Sequence, residues 1–265
     1  MNSTLEILSK RKSVRIYSDR PVSAEDRDQI LNAALRAPTA GNMMLYTIIE
    51  VEDQAIKDRL AVTCDNQPFI ARAPYLLLFA ADYQRWYDYF MACGIEQHCR
   101  ENRLPLRCPE EDDLLLACCD TLIAAHTAVV AAESLGIGSC YIGDILENFE
   151  IHRELFGLPK YVLPVTLACF GYPTSEQAGR KQTTRFDRPY VVHRDRYQRL
   201  GAEQLEQMMA PRSALFAAGK QPEGIDNLGQ FHYRRKFISD FSMEMNRSVR
   251  AMLASWTAPE PGLFG

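Results

Sequence analysis

Hydrophobic positions along the chain switch between helical spacing and short continuous runs, and the switches lay out most of the elements. Ile30, Leu31, Ala34 and Leu35 recur at helical intervals behind Ser23 and an acidic first turn, which predicts a helix over residues 24–36 that Pro38 ends. A shorter helix is predicted over 4–12 and another over 54–62. Residues 45–51 and 75–81 are apolar runs of strand length, the second introduced by Pro74, and both read as buried strands. Residues 82–111 fit neither template: they are aromatic at the start (Tyr83, Trp86, Tyr87, Tyr89, Phe90) and polar at the end, and read as an excursion over a pocket or a satellite apolar cluster.

Residues 113–135 predict a long helix that is apolar almost all round and stops at Gly136, a residue suited to the left-handed conformation past a helix C-terminus. Such a helix must be covered on every side, by its own sheet or by another subunit. It is long enough to be weighed as a membrane span, but Asp120, His126 and Glu133 interrupt it, so a buried helix is expected. Residues 139–142 are a short strand. Residues 161–170 are a longer one despite Pro164, which an edge or a bulge would tolerate. A polar helix is expected over 193–208, irregular chain after Pro211, and a last helix near 239–256. The expected organisation is one domain over 1–210 with an extension over 211–265 that packs on the core or on a partner subunit.

Composition narrows the classes. The chain has 265 residues, 47% of them apolar and 24% charged, enough for a full core and far from the signature of disorder. Its formal net charge of −4 argues against a nucleic-acid surface, so any anion site must be local. No basic segment followed by an apolar stretch and a cleavage site opens the sequence, and with eight cysteines this points to a reducing, cytoplasmic setting. Cys93, His98, Cys99 and Cys108 with the pair Cys118-Cys119 raise a metal–thiolate reading. The spacings do not match short Cys-x-x-Cys pairs, so incidental thiols are expected and no metal.

Three segments carry candidate chemistry. Arg11-Lys12-Ser13-Val14-Arg15, if extended, puts Arg11, Ser13 and Arg15 on one side, two guanidinium forks and a hydroxyl that suit a phosphate; the competing reading is a solvated basic turn. Ala37-Pro38-Thr39-Ala40-Gly41-Asn42 is a turn of small residues that lets backbone N–H groups approach a ligand, or a plain connection. Gly136 to Asp144 is glycine-rich but lacks the dinucleotide-binding spacing and follows a helix instead of opening one.

In this order, joined by Phe170-Gly171-Tyr172-Pro173 and the later Arg180, Lys181 and Arg185, these segments resemble the nitroreductase family of FMN-dependent flavoproteins over roughly residues 4–200. The resemblance implies an α+β fold with a central, mostly antiparallel sheet flanked by helices, built as an intertwined homodimer with FMN at the subunit interface. It implies that Arg11, Ser13 and Arg15 hold the FMN phosphate and ribityl region, joined by Arg185 or, alternatively, Lys181. Positive charge from Arg11 or Lys12 would stabilise the reduced ring. The turn of Pro38, Thr39, Ala40, Gly41 and Asn42 would meet the isoalloxazine edge, often across the dimer; Tyr141, Ile142 and Gly143 would face the flavin with an N–H near N5; and Gln67 would hydrogen-bond the ring or be an exposed loop amide. The implied reaction is ping-pong hydride transfer from NAD(P)H through flavin N5 to small aromatic acceptors such as nitroaromatics, quinones or flavins, with no side chain as general acid or base. A flavin-storage protein, or an enzyme of the same fold with another activity such as reductive dehalogenation, would carry the same cofactor contacts.

Overall fold

The computed structural model describes residues 2–259. The chain divides into two compact units, residues 1–180 with 244–265, and residues 181–243. In the first unit the helices are α1 (Ser3–Lys10), α2 (Ala24–Leu35), α3 (Gln54–Thr63), α4 (Gln84–Ala92), α5 (Ile95–Asn102), α6 (Glu111–Ser134), α7 (Phe149–Phe156) and α8 (Ser175–Gly179). Its strands are β1 (Tyr46–Glu50), β2 (Tyr75–Asp82), β3 (Gly138–Ile142) and β4 (Val162–Gly171). They form one antiparallel sheet in the order β1-β2-β4-β3. The expected α+β fold with a mostly antiparallel central sheet is therefore present.

Helices cover both faces of this sheet, and the side-chain alternation of β2 sorts them. Tyr75, Leu77 and Phe79 pack with Ile30 and Ala34 of α2 and with Ala125, Ala128, Val129 and Ala132 of α6. Leu76 and Leu78 face the other way, onto Leu60 and Ala61 of α3 and onto Phe69 and Ile70. Burial on both faces is why β2 reads as an unbroken apolar run with no alternation. On α6 the sheet-side positions are mostly alanine, so the helix axis can lie close to the strands.

The other side of α6 differs from the expectation of cover all round. Leu115, Leu116, Leu122 and Ile123 are between 40% and 69% exposed, so among the described residues the helix is covered on one side only. Pro164 sits at a register shift in β4, where Ala80 pairs with Pro164 and Phe79 with Thr166. Pro164 also lies past the last β3 partner, Leu167, so a bulge and a locally unpaired side together accommodate the missing N–H. The unassigned stretch after residue 82 forms α4 and α5, with Gly94 between them at φ 74°. Its aromatic run is a satellite cluster: Tyr87 packs on Tyr161 at a centroid distance of 5.1 Å, Trp86 lies 5.7 Å from Phe90, and Tyr89 is exposed.

The second unit holds α9 (Ala202–Ala217) and α10 (Leu228–His232), followed by one π-helical turn, Tyr233–Phe237. The helix expected over 193–208 begins nine residues later and runs through Pro211, so the expected boundary at 210/211 falls inside it. The polar run before it, Arg194 to Arg199, places three arginines where a helix N-terminus disfavours cations, and the backbone turns left-handed at Asp195 (φ 64°). Inside this unit Arg212 stacks over Phe186 at 4.0 Å.

The last helix, α11 (Asp240–Thr257), brings the chain back to the first unit, where Met252 and Trp256 are buried among Tyr87, Leu114, Tyr161 and Leu163. Trp256 Nε1 donates to the Glu110 carbonyl at 2.9 Å, and Arg247 forms a two-bond fork with Glu150. That fork holds the Glu150 carboxyl down at about 2.

At the outer edge of the sheet Gly138 and Gly171 are direct cross-strand partners. A Cβ on Gly138 would lie 2.4 Å from a Val14 methyl, and one on Gly171 would lie 2.6 Å from the Tyr17 ring. The extended segment 11–18 fills the space these side chains would take. Val14 N donates to Ser139 O at 2.9 Å, Ser18 N donates to Tyr172 O at 2.8 Å, and Val14 is buried. Gly138→Ala should therefore destabilise the protein by about 1–3 kcal/mol through overpacking. Combined with Val14→Ala, which removes the 2.4 Å methyl contact, the loss should be smaller than the sum of the two single losses, as a urea double-mutant cycle would read; additive losses would contradict the docking described.

Candidate functional site

The strip from residue 11 to 18 runs beside β3 and fixes where its cations point. Ser13 bridges to Ser139 in parallel fashion, and the Arg15 N–H reaches the Gln177 Oε1 at 3.4 Å. Alternation then sets Arg11, Ser13 and Arg15 on one side. Burial raises the Cys140 thiol, opposed by the charge of Arg15, a hydrogen bond with Ser13 and the charge of Arg11, so Ser13 and Arg15 lie against it. Arg15 also lies 5.8 Å over the Phe69 ring.

Lys12 does not join them. Its ammonium donates to the carbonyls of Ala178, at 2.5 Å, and Arg180, at 2.7 Å, and so closes the end of α8. Arg11 faces two groups on the α6 side. Burial raises the Glu133 carboxyl, with Arg11 the strongest opposing influence, and burial raises the Tyr141 phenol to about 12, again with Arg11 opposing.

The turn after α2 is held by a residue that the sequence reading treated only as an interruption in an apolar helix. Asp120 of α6 is buried and accepts from the Thr39 hydroxyl, from Ala40 N at 3.0 Å and from Leu45 N at 3.3 Å. Thr39 Oγ1 in turn accepts from Met44 N at 2.9 Å. Trp86 Nε1 donates to Met43 O at 2.7 Å and props the turn from α4. With Thr39 and Ala40 anchored, Pro38, Gly41 and Asn42 are left exposed, and Gly41 and Asn42 take positive φ values of 55° and 58°. The signal for Asp120 was available: a lone acid at a sheet-facing position of an alanine-rich helix needs donors, and a turn with free N–H groups supplies them.

Beyond Tyr141 and Ile142 the end of β3 reaches Gly143, where an added Cβ would meet nothing within 4 Å. Tyr141 and Gly143 line an apolar cavity of about 800 Å³ together with Leu115, Cys118, Leu122 and Thr166. The cavity thus borders the uncovered face of α6. Gln67 lies near the same strand end: its Nε2 donates to Asp144 Oδ2 at 2.8 Å and to Cys64 O at 2.9 Å. The structure therefore carries Arg11, Ser13 and Arg15 on the strip docked beside β3, and sets Gln67 beside the 141–144 segment. Lys181 and Arg185 belong to the second unit, where both are exposed and Arg185 donates to the Thr183 hydroxyl at 2.7 Å. All eight cysteines are free thiols, and among the described residues no group of three His, Cys, Asp or Glu side chains forms a metal ligand set.

Glu147, just past this strand end, is 5% exposed, and its Oε1 has no hydrogen-bond partner among the described residues. Burial, with the charges of Asp144, Asp65 and Glu244, lifts its carboxyl from 4.5 to about 7. The folded state therefore holds a proton that the unfolded chain releases, so this group costs stability progressively as pH rises from 4.5 to about 7, and not below. Glu147→Gln should raise the urea midpoint at about pH 8 more than at pH 4.5. An equal change at both values would contradict a neutral buried carboxyl, since any constant cost of the amide cancels in the difference.

Comparison with known proteins agrees with this geometry. The profile of the nitroreductase family matches residues 8–172. An oxygen-insensitive NADPH nitroreductase of Salmonella typhimurium is 33% identical over 200 residues, covering 76% of this chain and 77% of that protein. An FMN reductase [NAD(P)H] of Bacillus subtilis is 34% identical over 206 residues, covering 74% and 75%. Among solved structures, NfrA2 of B. megaterium superposes with a TM-score of 0.76 at 28% identity, covering 97% of this chain and 98% of its own. The matched residues include the docked basic strip, the anchored turn and the glycine-rich strand end, and the chain belongs to the nitroreductase family.

Proposed function

We propose that this protein is an NAD(P)H-dependent FMN oxidoreductase that works as a homodimer on small aromatic acceptors. The observation that carries the reading is the docking of the strip that bears Arg11, Ser13 and Arg15 against β3, a strand whose far end opens beside an apolar cavity. The donor set fits FMN. Two guanidinium groups and a hydroxyl suit a dianionic phosphate, and an apolar space beside the bare backbone of Gly143 suits a flat ring. The names of the relatives support FMN as cofactor and a reduced nicotinamide as donor.

Bound FMN supplies two-electron chemistry at N5, from NAD(P)H to a second substrate in turn, which is ping-pong turnover. The chain's own residues bind and orient. Arg11, Ser13 and Arg15 hold the phosphate end, while Lys12 keeps α8 closed behind them. Tyr141, Ile142 and Gly143 offer a ring-facing surface, and the Asp120-anchored turn leaves Gly41 and Asn42 exposed to meet the ring edge of a partner's site. A phosphate role for Arg185 or Lys181 rests on the sequence alone. The uncovered leucines of α6 support a second copy as the missing cover, since a row of exposed Leu115, Leu116, Leu122 and Ile123 is costly to leave in water. Nitroaromatics, quinones and free flavins suit a flat apolar site as acceptors.

One experiment separates the parts: FMN retained through gel filtration, with sedimentation run on the same samples. Arg15→Ala should weaken FMN binding about 10- to 100-fold while remaining a dimer. Leu122→Glu should yield monomer and lose FMN. Full retention of FMN by Arg15→Ala would contradict the phosphate assignment, and an unchanged sedimentation coefficient for Leu122→Glu would contradict the interface.

A further inference from the structure

Gln67 follows α3 through two residues in left-handed conformation, Asp65 at φ 57° and Asn66 at φ 50°. The loop they form is tied down on several sides. Gln67 N donates to Ala61 O at 2.7 Å, and Asn148 Nδ2 donates to Thr63 O at 2.8 Å. The side chain is tied as firmly, because both amide protons are taken: one by the Cys64 carbonyl and one by the Asp144 carboxylate.

Both acceptors lack protons, so the amide has one workable orientation. Turning it over would set Oε1 against a carbonyl oxygen and a carboxylate oxygen at hydrogen-bond distance, with nothing to donate. Gln67 is thus locked as an acceptor. No described residue donates to its Oε1. An oxidised isoalloxazine ring carries several acceptors and a single N–H, at N3. A locked acceptor beside that ring has one partner on it.

We propose that Asp144 is a positioning residue, whose carboxylate holds the Gln67 amide so that Oε1 accepts from the flavin N3–H and thereby reads the pyrimidine edge of the ring. This rests on the FMN reading above and adds to it a residue and an orientation. Asp144 acts through Gln67; it supplies an acceptor, and its charge is not required.

The probe pair is FMN and its N3-methyl analogue, which loses that one donor, with dissociation constants read from flavin fluorescence. The full-length wild type should bind FMN about tenfold more tightly than the analogue, the worth of one hydrogen bond. Asp144→Ala removes one of the two acceptors and leaves the Cys64 carbonyl, so it should lower the ratio to a few-fold. Asp144→Asn, whose Oδ1 still accepts from Gln67, should keep it. Gln67→Leu removes the amide without touching Asp144 and should abolish the ratio whatever Asp144→Ala does to folding.

Equal binding of both flavins by wild type would overturn the inference and leave the FMN reading standing, with a ribityl hydroxyl as the partner of Gln67. A tenfold ratio surviving in Asp144→Ala or Gln67→Leu would overturn it as well, as would loss of the ratio in Asp144→Asn. Failure of wild type to bind either flavin would sink the FMN reading itself.

Discussion

Two absent side chains shape the edge on which this molecule's chemistry is built. Gly138 and Gly171 face each other across β3 and β4, and the bare backbone they leave is where Val14 and Tyr17 seat the N-terminal strip. The strip has no sheet of its own to join, and its few backbone bonds to Ser139 and Tyr172 would not fix it without that close approach. Once it is seated, Val14 goes inward and Arg15 is left exposed.

A second constraint is the division of labour along α6. Its alanines let α2 and the sheet close in, its one buried acid ties down the 39–45 turn, and its leucines on the far side are left without cover. A helix with this distribution serves the core and an interface at once. Asp120 shows how the two are coupled, because the turn it anchors borders neither core nor solvent alone: Thr39 and Ala40 face inward while Gly41 and Asn42 are presented outward.

Much of this was legible in the sequence. Apolar runs placed β1, β2 and β4 within a residue or two, Ser23 and Pro38 bounded α2, and Gly136 ended α6. The basic cluster, the small-residue turn and the glycine-rich strand end were visible as segments. What the sequence could not show was which contacts use up which groups. Lys12 looks like one more cation in a cluster, yet its ammonium closes α8, because alternation turns it away from its neighbours. Asp120 looks like a break in an apolar helix because its donors come from some eighty residues upstream. Pro164 signalled an edge or a bulge, and where the bulge falls depends on the register of the neighbouring strand. Pro211 failed as a stop signal, and the helix of the second unit runs through it.

The docked strip and the open strand end are proposed to hold a flavin that turns over. The most direct measurement is the visible absorbance of the purified protein during anaerobic titration with NADPH. The account predicts an oxidised-flavin spectrum at about one FMN per chain, bleached by stoichiometric NADPH and restored by a quinone. A protein that carries no flavin, or one whose bound flavin stays oxidised under excess NADPH and NADH, would contradict it.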